Sequence, residues 1–313
     1  MNPMQSHLYE LAARLPRALT VVDVGCRWGP ESFWLQLPGA QVIGFDPDEG
    51  ECRRLTEEAG GNAVARFVPV ALGAREGPAR LHLTTQPACS SLFEPDASLI
   101  GARPALVVIT AAGETEVELQ TLDGWTAGEG VDRVDYLKLD TQGSELDILR
   151  GAERILASVR VVETEVEFNP IYLGQPLFSD VDRYLRGQGF VLWRLAHLAH
   201  YGLPDGVSTF DSDDTHYFDA EHPVTVTGAG GQLYWADAFY VKEEIAFPAG
   251  PVPWEVALTD VVLSGALGFW DLAHQSAAGA SGAPPEIAER LWRLRQAAPG
   301  GGARRASKAR APT

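Results

Sequence analysis

Cysteine and methionine are scarce in this 313-residue chain, and no long apolar run occurs in it. The three cysteines, Cys26, Cys52 and Cys89, stand far apart with no C-x-x-C pair. That pattern argues against a disulfide framework and a zinc site, and it fits a reducing, cytoplasmic setting. The longest apolar stretches, near Val261–Leu263 and Ala266–Trp270, are shorter than the ~20 residues a membrane-spanning helix needs. The opening MNPMQSHLYELAARLPRAL has no basic start followed by an apolar core, so no secretory signal is expected. No repeat is found at a period of about 20–50 residues, which removes solenoids and propellers. The 32 glycines and 21 prolines stay below the roughly 25–30% that marks low complexity. Positive charge is also short: 25 Lys and Arg stand against 42 Asp and Glu, a net −17. Such a body repels phosphate backbones and argues against a nucleic-acid binder. The exception is the end of the chain, where residues 299–313 hold no acid but carry Arg304, Arg305, Lys308 and Arg310. A disordered basic tail is expected there, with a docking arm for an acidic partner as the sharper alternative.

What is present is an alternation of strand and helix signals over the first 170 residues. The apolar, β-branched runs Leu19–Val24, Gln41–Asp46, Ala65–Leu72, Val134–Asp140 and Val159–Phe168 read as strands. Between them, Asp48 with Glu51 and Ser179 with Asp182 have the spacing of capping boxes. Ser144 to Ala157 carries Leu146, Leu149, Ala152 and Leu156 on one helical face. Ala79–Thr84 and Thr115–Thr121 alternate as strands do, and the turn-rich residues 86–104 between them read as a loop or lid. Phe190–Leu195 and Gly231–Val241 read as closing strands, and 257–275 and 286–296 as helices outside the core. Strands alternating with helices predict a parallel sheet covered on both faces, with ligands beyond the carboxyl ends of its strands.

Two of those ends carry chemistry. The first strand runs into Asp23-Val24-Gly25-Cys26-Arg27-Trp28-Gly29, a D-x-G-x-x-x-G turn. Glycines there let backbone approach a ligand, while the acid disfavours a pyrophosphate and suits an ammonium group. The second strand ends in Asp46, 21 residues after Gly25, where an acid can accept hydrogen bonds from both hydroxyls of a ribose. Together they point to a nucleoside-bearing ligand such as S-adenosyl-L-methionine.

These residues resemble the FkbM-type methyltransferases. The stretches that carry the resemblance are VVDVGCRWG at 21–29, GFDPD at 44–48, VDYLKLDTQGSELDILRGA at 134–152, ETEVEFNPIYLGQPLF at 163–178 and LYWADAFYV at 233–241. The resemblance spans about residues 20–242 and implies an α/β, Rossmann-like fold: a seven-stranded, mostly parallel sheet with an antiparallel last strand. The expected plan is then a methyltransferase domain over 1–242, a helical extension over 243–298 that packs on the core or forms a homodimer interface, and the tail over 299–313. The resemblance also implies that Asp23, Gly25 and Gly29 line the methionine end of S-adenosyl-L-methionine, with Cys26 in the same loop. Asp46 then holds the ribose and Ala71 lies near the adenine. Many members carry a small residue where Arg27-Trp28 stands; these bulky side chains either reshape the cofactor mouth or pack below it.

The acceptor side rests on carboxylates. Asp140 follows a strand end, Tyr136-Leu137-Lys138-Leu139, read as apolar, with Thr141 and Ser144 available to cap the next helix. Glu145 is expected to serve that helix's N-terminus. Glu163, Glu165 and Glu167 alternate, so one face of their strand carries three carboxylates, with Glu165 and Glu167 best placed. Asp140 and Glu165 can take a proton from an alcohol or share a Mg²⁺ that lowers its pKa; the residues leave both open. Ser91, beside Ser90 in the lid, can contact cofactor or acceptor, as can Tyr172 and Gln175. His197 and His200, three apart near a strand end, form no clear metal pair. The resemblance implies O-methylation of a sugar, glycolipid or secondary metabolite; N-methylation and a non-catalytic binding protein are the alternatives.

Overall fold

The computed structural model describes residues 3–60, 64–204, 209–210 and 231–296. The expected basic tail at 299–313 lies outside the described residues. Helix α1 (Pro3–Ala12) precedes β1 (Leu19–Val24), α2 (Ser32–Gln36), β2 (Ala40–Phe45), α3 (Glu49–Glu58) and β3 (Ala65–Val68). Next come β4 (Ala71–Leu72), β5 (Gly77–Thr84), α4 (Ser98–Ala102), β6 (Ala111–Gln120) and α5 (Leu122–Gly128). The chain continues through β7 (Tyr136–Leu139), α6 (Glu145–Arg150), α7 (Glu153–Leu156), β8 (Val161–Glu167) and α8 (Phe178–Gly187). It then forms β9 (Phe190–Tyr201), β10 (Thr209–Phe210) and β11 (Gln232–Lys242), and ends in α9 (Glu243–Ala246), α10 (Trp254–Ala266), α11 (Trp270–Gly279) and α12 (Pro285–Gln296).

The main sheet has the order β10-β9-β11-β8-β7-β1-β2-β3. β1 pairs in parallel with β2 and β7, β2 with β3, and β7 with β8. β11, the last long strand, runs antiparallel between β8 and β9. This is the expected seven-stranded arrangement, with the two-residue β10 added along β9. The chain builds outward from β1 to β3 and then returns to β7 on the other side. That reversal opens a crevice beyond the carboxyl ends of β1 and β7.

Alternate residues of each strand feed two cores. Val21, Tyr136, Val161 and Val241 meet α1, α10, α11 and α12 on one face. Val22, Leu137, Val162 and Tyr240 meet α5, α6, α7 and α8 on the other. The first part of the helix expected over 257–275 is α10, buried nearly all round and packed on the sheet through Leu258, Val261 and Val262. Burial of each such side chain stabilises by about 1.5–3 kcal/mol.

Several elements differ from their sequence expectation. Residues 65–72 form two strands: β3 stays in the main sheet, while β4 pairs with β6 in a separate sheet of β4, β6 and β5. The helix expected over 144–157 breaks at Gly151, where any Cβ would lie 2.1 Å from the Gly73 carbonyl oxygen. The Gly151 carbonyl there accepts the Asp123 amide at 2.9 Å instead of continuing a helical ladder. The 257–275 helix likewise divides at Gly268, which takes φ +75°. Asp48 caps α3 as expected, accepting from the amides of Gly50 and Glu51, but Glu51 turns to Arg54. For α8 the reciprocal acid is Asp180, accepting the Leu177 amide at 3.1 Å, in place of the Ser179–Asp182 pair. The lid segment joins β5 to β6 and is packed: Cys89, Leu106, Val108 and Ile109 share a core with Tyr172, Tyr201 and Tyr234.

A candidate active site at the carboxyl ends of the sheet

The turn after β1 is pressed against the end of β7. Gly25 takes φ +80° and Gly29 φ +75°, the left-handed region that favours glycine. A Cβ at Gly25 would lie 1.8 Å from the Asp140 carbonyl oxygen, so only glycine fits. The Gly25 and Cys26 amides both donate to the Phe45 carbonyl at the end of β2, at 2.9 and 3.1 Å. Cys26 is buried and its sulfur faces Gly44, so its thiol does not reach the crevice surface. Asp46 is buried at the end of β2, with Oδ1 accepting the Asp48 amide at 2.8 Å. Burial raises its pKa, and the Asp48 amide and Arg27 oppose that rise. Arg27 bonds Asp48 at 2.9 Å and comes within 3.9 Å of Asp46. Trp28 is 55% exposed and therefore lies outside the core, not packed below the loop. Ala71 begins β4, just past the carboxyl end of β3, and is buried.

The register of the sheet lines up acids from distant parts of the chain. Asp23, Lys138 and Glu163 stand opposite one another on β1, β7 and β8. One pleat further on come Asp140 and Glu165, and β11 brings Asp237 opposite Glu165. Lys138 is the cation among them, 3.2 Å from Asp140 and 3.6 Å from Asp23. Burial would lower its pKa, but Asp140, Asp23, Glu163 and Asp237 hold it well above the ordinary lysine value. The strand end read as apolar therefore carries a fixed positive charge. Tyr136 donates its hydroxyl to Glu163 beneath this row.

Glu165 and Glu167 are held well above the ordinary carboxylate pKa, first by burial and then by neighbouring carboxylates. Both carboxyls therefore hold a proton more readily than an exposed glutamate does. Glu145 does serve the loop before its helix: it accepts the Thr141 and Gly143 amides at 2.6 and 2.9 Å. Burial still lifts its pKa to about 6.

The residue that ties this region together is Gln142, held at φ +59°. Its side-chain amide donates to Glu165 at 2.8 Å, and its side-chain oxygen lies 2.9 Å from the Tyr172 hydroxyl. Its backbone carbonyl accepts from Ser91 Oγ at 2.6 Å. Ser91 is buried in that bond and clasps the lid to the β7–α6 loop. Tyr172 is fully buried and also reaches the Cys89 carbonyl at 2.7 Å, while Gln175 accepts the amides of Ile171 and Tyr172. These two side chains thus brace the loops around Gln142.

His197 Nδ1 lies 2.6 Å from Asp237 Oδ2. The fold thus brings Asp23, Gly25, Asp140, Glu165 and Asp237 together, sets Gly29 and Asp46 to one side, and leaves Cys26 and Ser91 as internal supports. The sequence reading missed Lys138, Gln142 and the His197–Asp237 pair. A lysine inside a buried strand was a usable signal for the first; nothing local marked the others. Among the described residues, no three His, Cys, Asp or Glu side chains are grouped to hold a metal ion, so the Mg²⁺ alternative gains no support. Also among the described residues, no helix is long and apolar enough to cross a membrane.

The donor set suits S-adenosyl-L-methionine: a side-chain-free cradle at Gly25, a buried acid at Asp46 for ribose hydroxyls, and an excess of carboxylate for a cationic ligand. The family model for the methyltransferase FkbM domain matches residues 23–192. The chain belongs to the FkbM methyltransferase family. The 2-O-methyltransferase NoeI of Sinorhizobium fredii is 28% identical over 190 residues, covering 56% of this chain and 78% of NoeI. Among solved structures, magnesium protoporphyrin IX methyltransferase from Synechocystis PCC 6803 with bound SAM is 14% identical. It covers 76% of this chain and 77% of that one at a TM-score of 0.35. A TehB-like SAM-dependent methyltransferase from Corynebacterium glutamicum is 13% identical, covering 75% and 87% at a TM-score of 0.31. The FkbM assignment rests on the family match. The match ends at residue 192, so His197 and Asp237 lie beyond the FkbM segment.

Proposed function

We propose that this protein is an S-adenosyl-L-methionine-dependent O-methyltransferase acting on a hydroxyl of a small molecule: a sugar, glycolipid or secondary metabolite. The observation that carries the reading is the Gly25 cradle beside buried Asp46, set next to a row of carboxylates at the switch point of the sheet. Asp23, Gly25 and Gly29 hold the methionine end, Asp46 accepts from the ribose hydroxyls, and backbone near Ala71 flanks the adenine. The cofactor, when bound, supplies a methyl group activated on a sulfonium. The chain's own task is then alignment, which is the larger part of catalysis in such a displacement. Asp140, Glu165 and Glu167 form the acceptor wall, with Lys138 fixing Asp140 and the Gln142 side chain fixing Glu165. The likeness to a 2-O-methyltransferase supports oxygen as the methylated atom. The net charge of −17 supports a small acceptor over a nucleic acid, and the scattered cysteines support a cytoplasmic setting.

Calorimetric titration with S-adenosylmethionine and S-adenosylhomocysteine, beside Asp46→Ala, tests the reading. Binding that the variant weakens is expected. Absence of binding at millimolar ligand removes the methyltransferase assignment for the free protein. Mass spectrometry of the methylated product separates oxygen from nitrogen transfer.

A further inference from the structure

The acceptor hydroxyl must lose a proton as it is methylated, and the carboxylates of the site are poorly set to take it. Asp140 is tied to the Lys138 ammonium. Glu165 is bonded by Gln142, and Glu167 is buried at the end of β8. A different group is aimed by the backbone itself. Between β9 and β11 the register slips: Asp237 stands opposite Ala196 while Trp235 stands opposite Ala199. β9 therefore carries one extra residue across that step, a β-bulge. Strand alternation would send His197 to the face opposite Ala196 and its partner Asp237. Instead His197 adopts φ +54°, an unusual conformation for a residue with a side chain, and its ring meets the Asp237 carboxylate at 2.6 Å. Bulges and strained backbone of this kind re-aim side chains at functional sites. Asp237 in turn lies opposite Glu165 in the β8–β11 register, so the imidazole borders the acceptor wall. Its side chain remains 32% exposed. With Nδ1 held by the carboxylate, Nε2 points away from Asp237, the orientation of a general base and its orienting acid.

Resting on the O-methyltransferase reading, we propose that His197 is the general base for the acceptor hydroxyl and that Asp237 is its positioning residue. The acceptor oxygen forms the new C–O bond to the methyl carbon of the sulfonium donor. The C–S bond breaks with its electron pair left on sulfur, giving the neutral thioether. The hydroxyl proton passes to His197 Nε2, and the resulting imidazolium is stabilised by Asp237.

The first test is a crystal structure of the full chain with S-adenosylhomocysteine. A methyl bond, a near-attack contact and one hydrogen bond together span on the order of 8 Å. His197 Nε2 is expected within that distance of the cofactor sulfur, open to the same cavity. Protein closing the space between them, or a separation of roughly twice that length, overturns the proposal. The second test compares variants, with binding of S-adenosylhomocysteine read by calorimetry and its release read during turnover of a panel of methyl glycosides. His197→Gln is expected to bind S-adenosylhomocysteine as the wild type does and to lose about 10²–10⁴-fold in kcat. Asp237→Asn is expected to lower kcat less, with KM for S-adenosylmethionine unchanged. Wild-type kcat in His197→Gln overturns the base assignment alone. Failure of the wild-type protein to bind S-adenosylhomocysteine overturns it together with the function on which it rests.

Discussion

The two ends of the main sheet treat buried charge in opposite ways. At the amino ends, acids and arginines are matched. Arg160, just before β8, bonds both oxygens of Asp260 on α10 at 2.8 Å and also bonds Glu244. Asp135, just before β7, accepts two bonds from Arg17 and the amide of Thr20. At the carboxyl ends, Asp23, Asp140, Glu163, Glu165, Glu167 and Asp237 gather around Lys138, with His197 at their edge. Paired charges at one end clamp the C-terminal helices to the sheet. Surplus carboxylate at the other end costs stability and prepares the crevice for a positively charged ligand.

The contrast can be broken at the clamped end first. Asp260→Ala leaves Arg160 buried without its bidentate partner, and a loss of about 3–5 kcal/mol is expected. Urea unfolding measures it, and a loss under about 1 kcal/mol would mean that the pair merely decorates the interface. At the carboxyl end, Asp46→Ala is expected to weaken S-adenosylmethionine binding by about 1.5–3 kcal/mol while the urea midpoint stays in place. A midpoint that falls with the affinity would make Asp46 a structural acid.

The pH dependence of stability sharpens the comparison further. Glu145, Glu165 and Glu167 keep protons in the folded chain that the unfolded chain releases above its ordinary value of 4.5. The folded state thus binds more protons in that window, and stability falls as pH rises through it. For Glu145 the window closes near 6; for the other two it extends higher. Glu165→Gln is expected to flatten the fall and raise Tm at neutral pH by roughly 2–4 °C. Scanning calorimetry across pH decides, and an unchanged slope would show that Glu165 is ionised in the folded protein. The smallest effect belongs to a pair at neither end. Arg293→Ala removes an exposed i,i+4 contact to Glu289 and should change stability by no more than about 0.5 kcal/mol.

Legibility followed the range of the interaction. β1 and β2 were readable because β-branched apolar runs are local, and Gly25 and Asp46 because their 21-residue spacing is that of one β-α-β unit. Glu145 was readable as a helix-start acid, since its partners Thr141 and Gly143 are sequence neighbours. The bond of Ser91 to the Gln142 carbonyl was not readable, because that partner is 51 residues away. The breaks at Gly151 and Gly268 hid inside helical periodicity. The first is imposed by Gly73, a residue from another part of the fold.

The sequence by itself determined the alternating elements, the glycine turn, the acid after β2, the alternation of Glu163, Glu165 and Glu167, and the acidic balance that disfavours nucleic acid. Each of these depends on residue type and short spacing. Tertiary structure alone decided that Lys138 would neutralise Asp140, that Gln142 would join Ser91 of the lid to Glu165 of β8, and that a bulge would turn His197 toward Asp237. Those contacts bring together residues from separate strands and loops. They exist because sheet register, set by packing on both faces, places distant residues side by side.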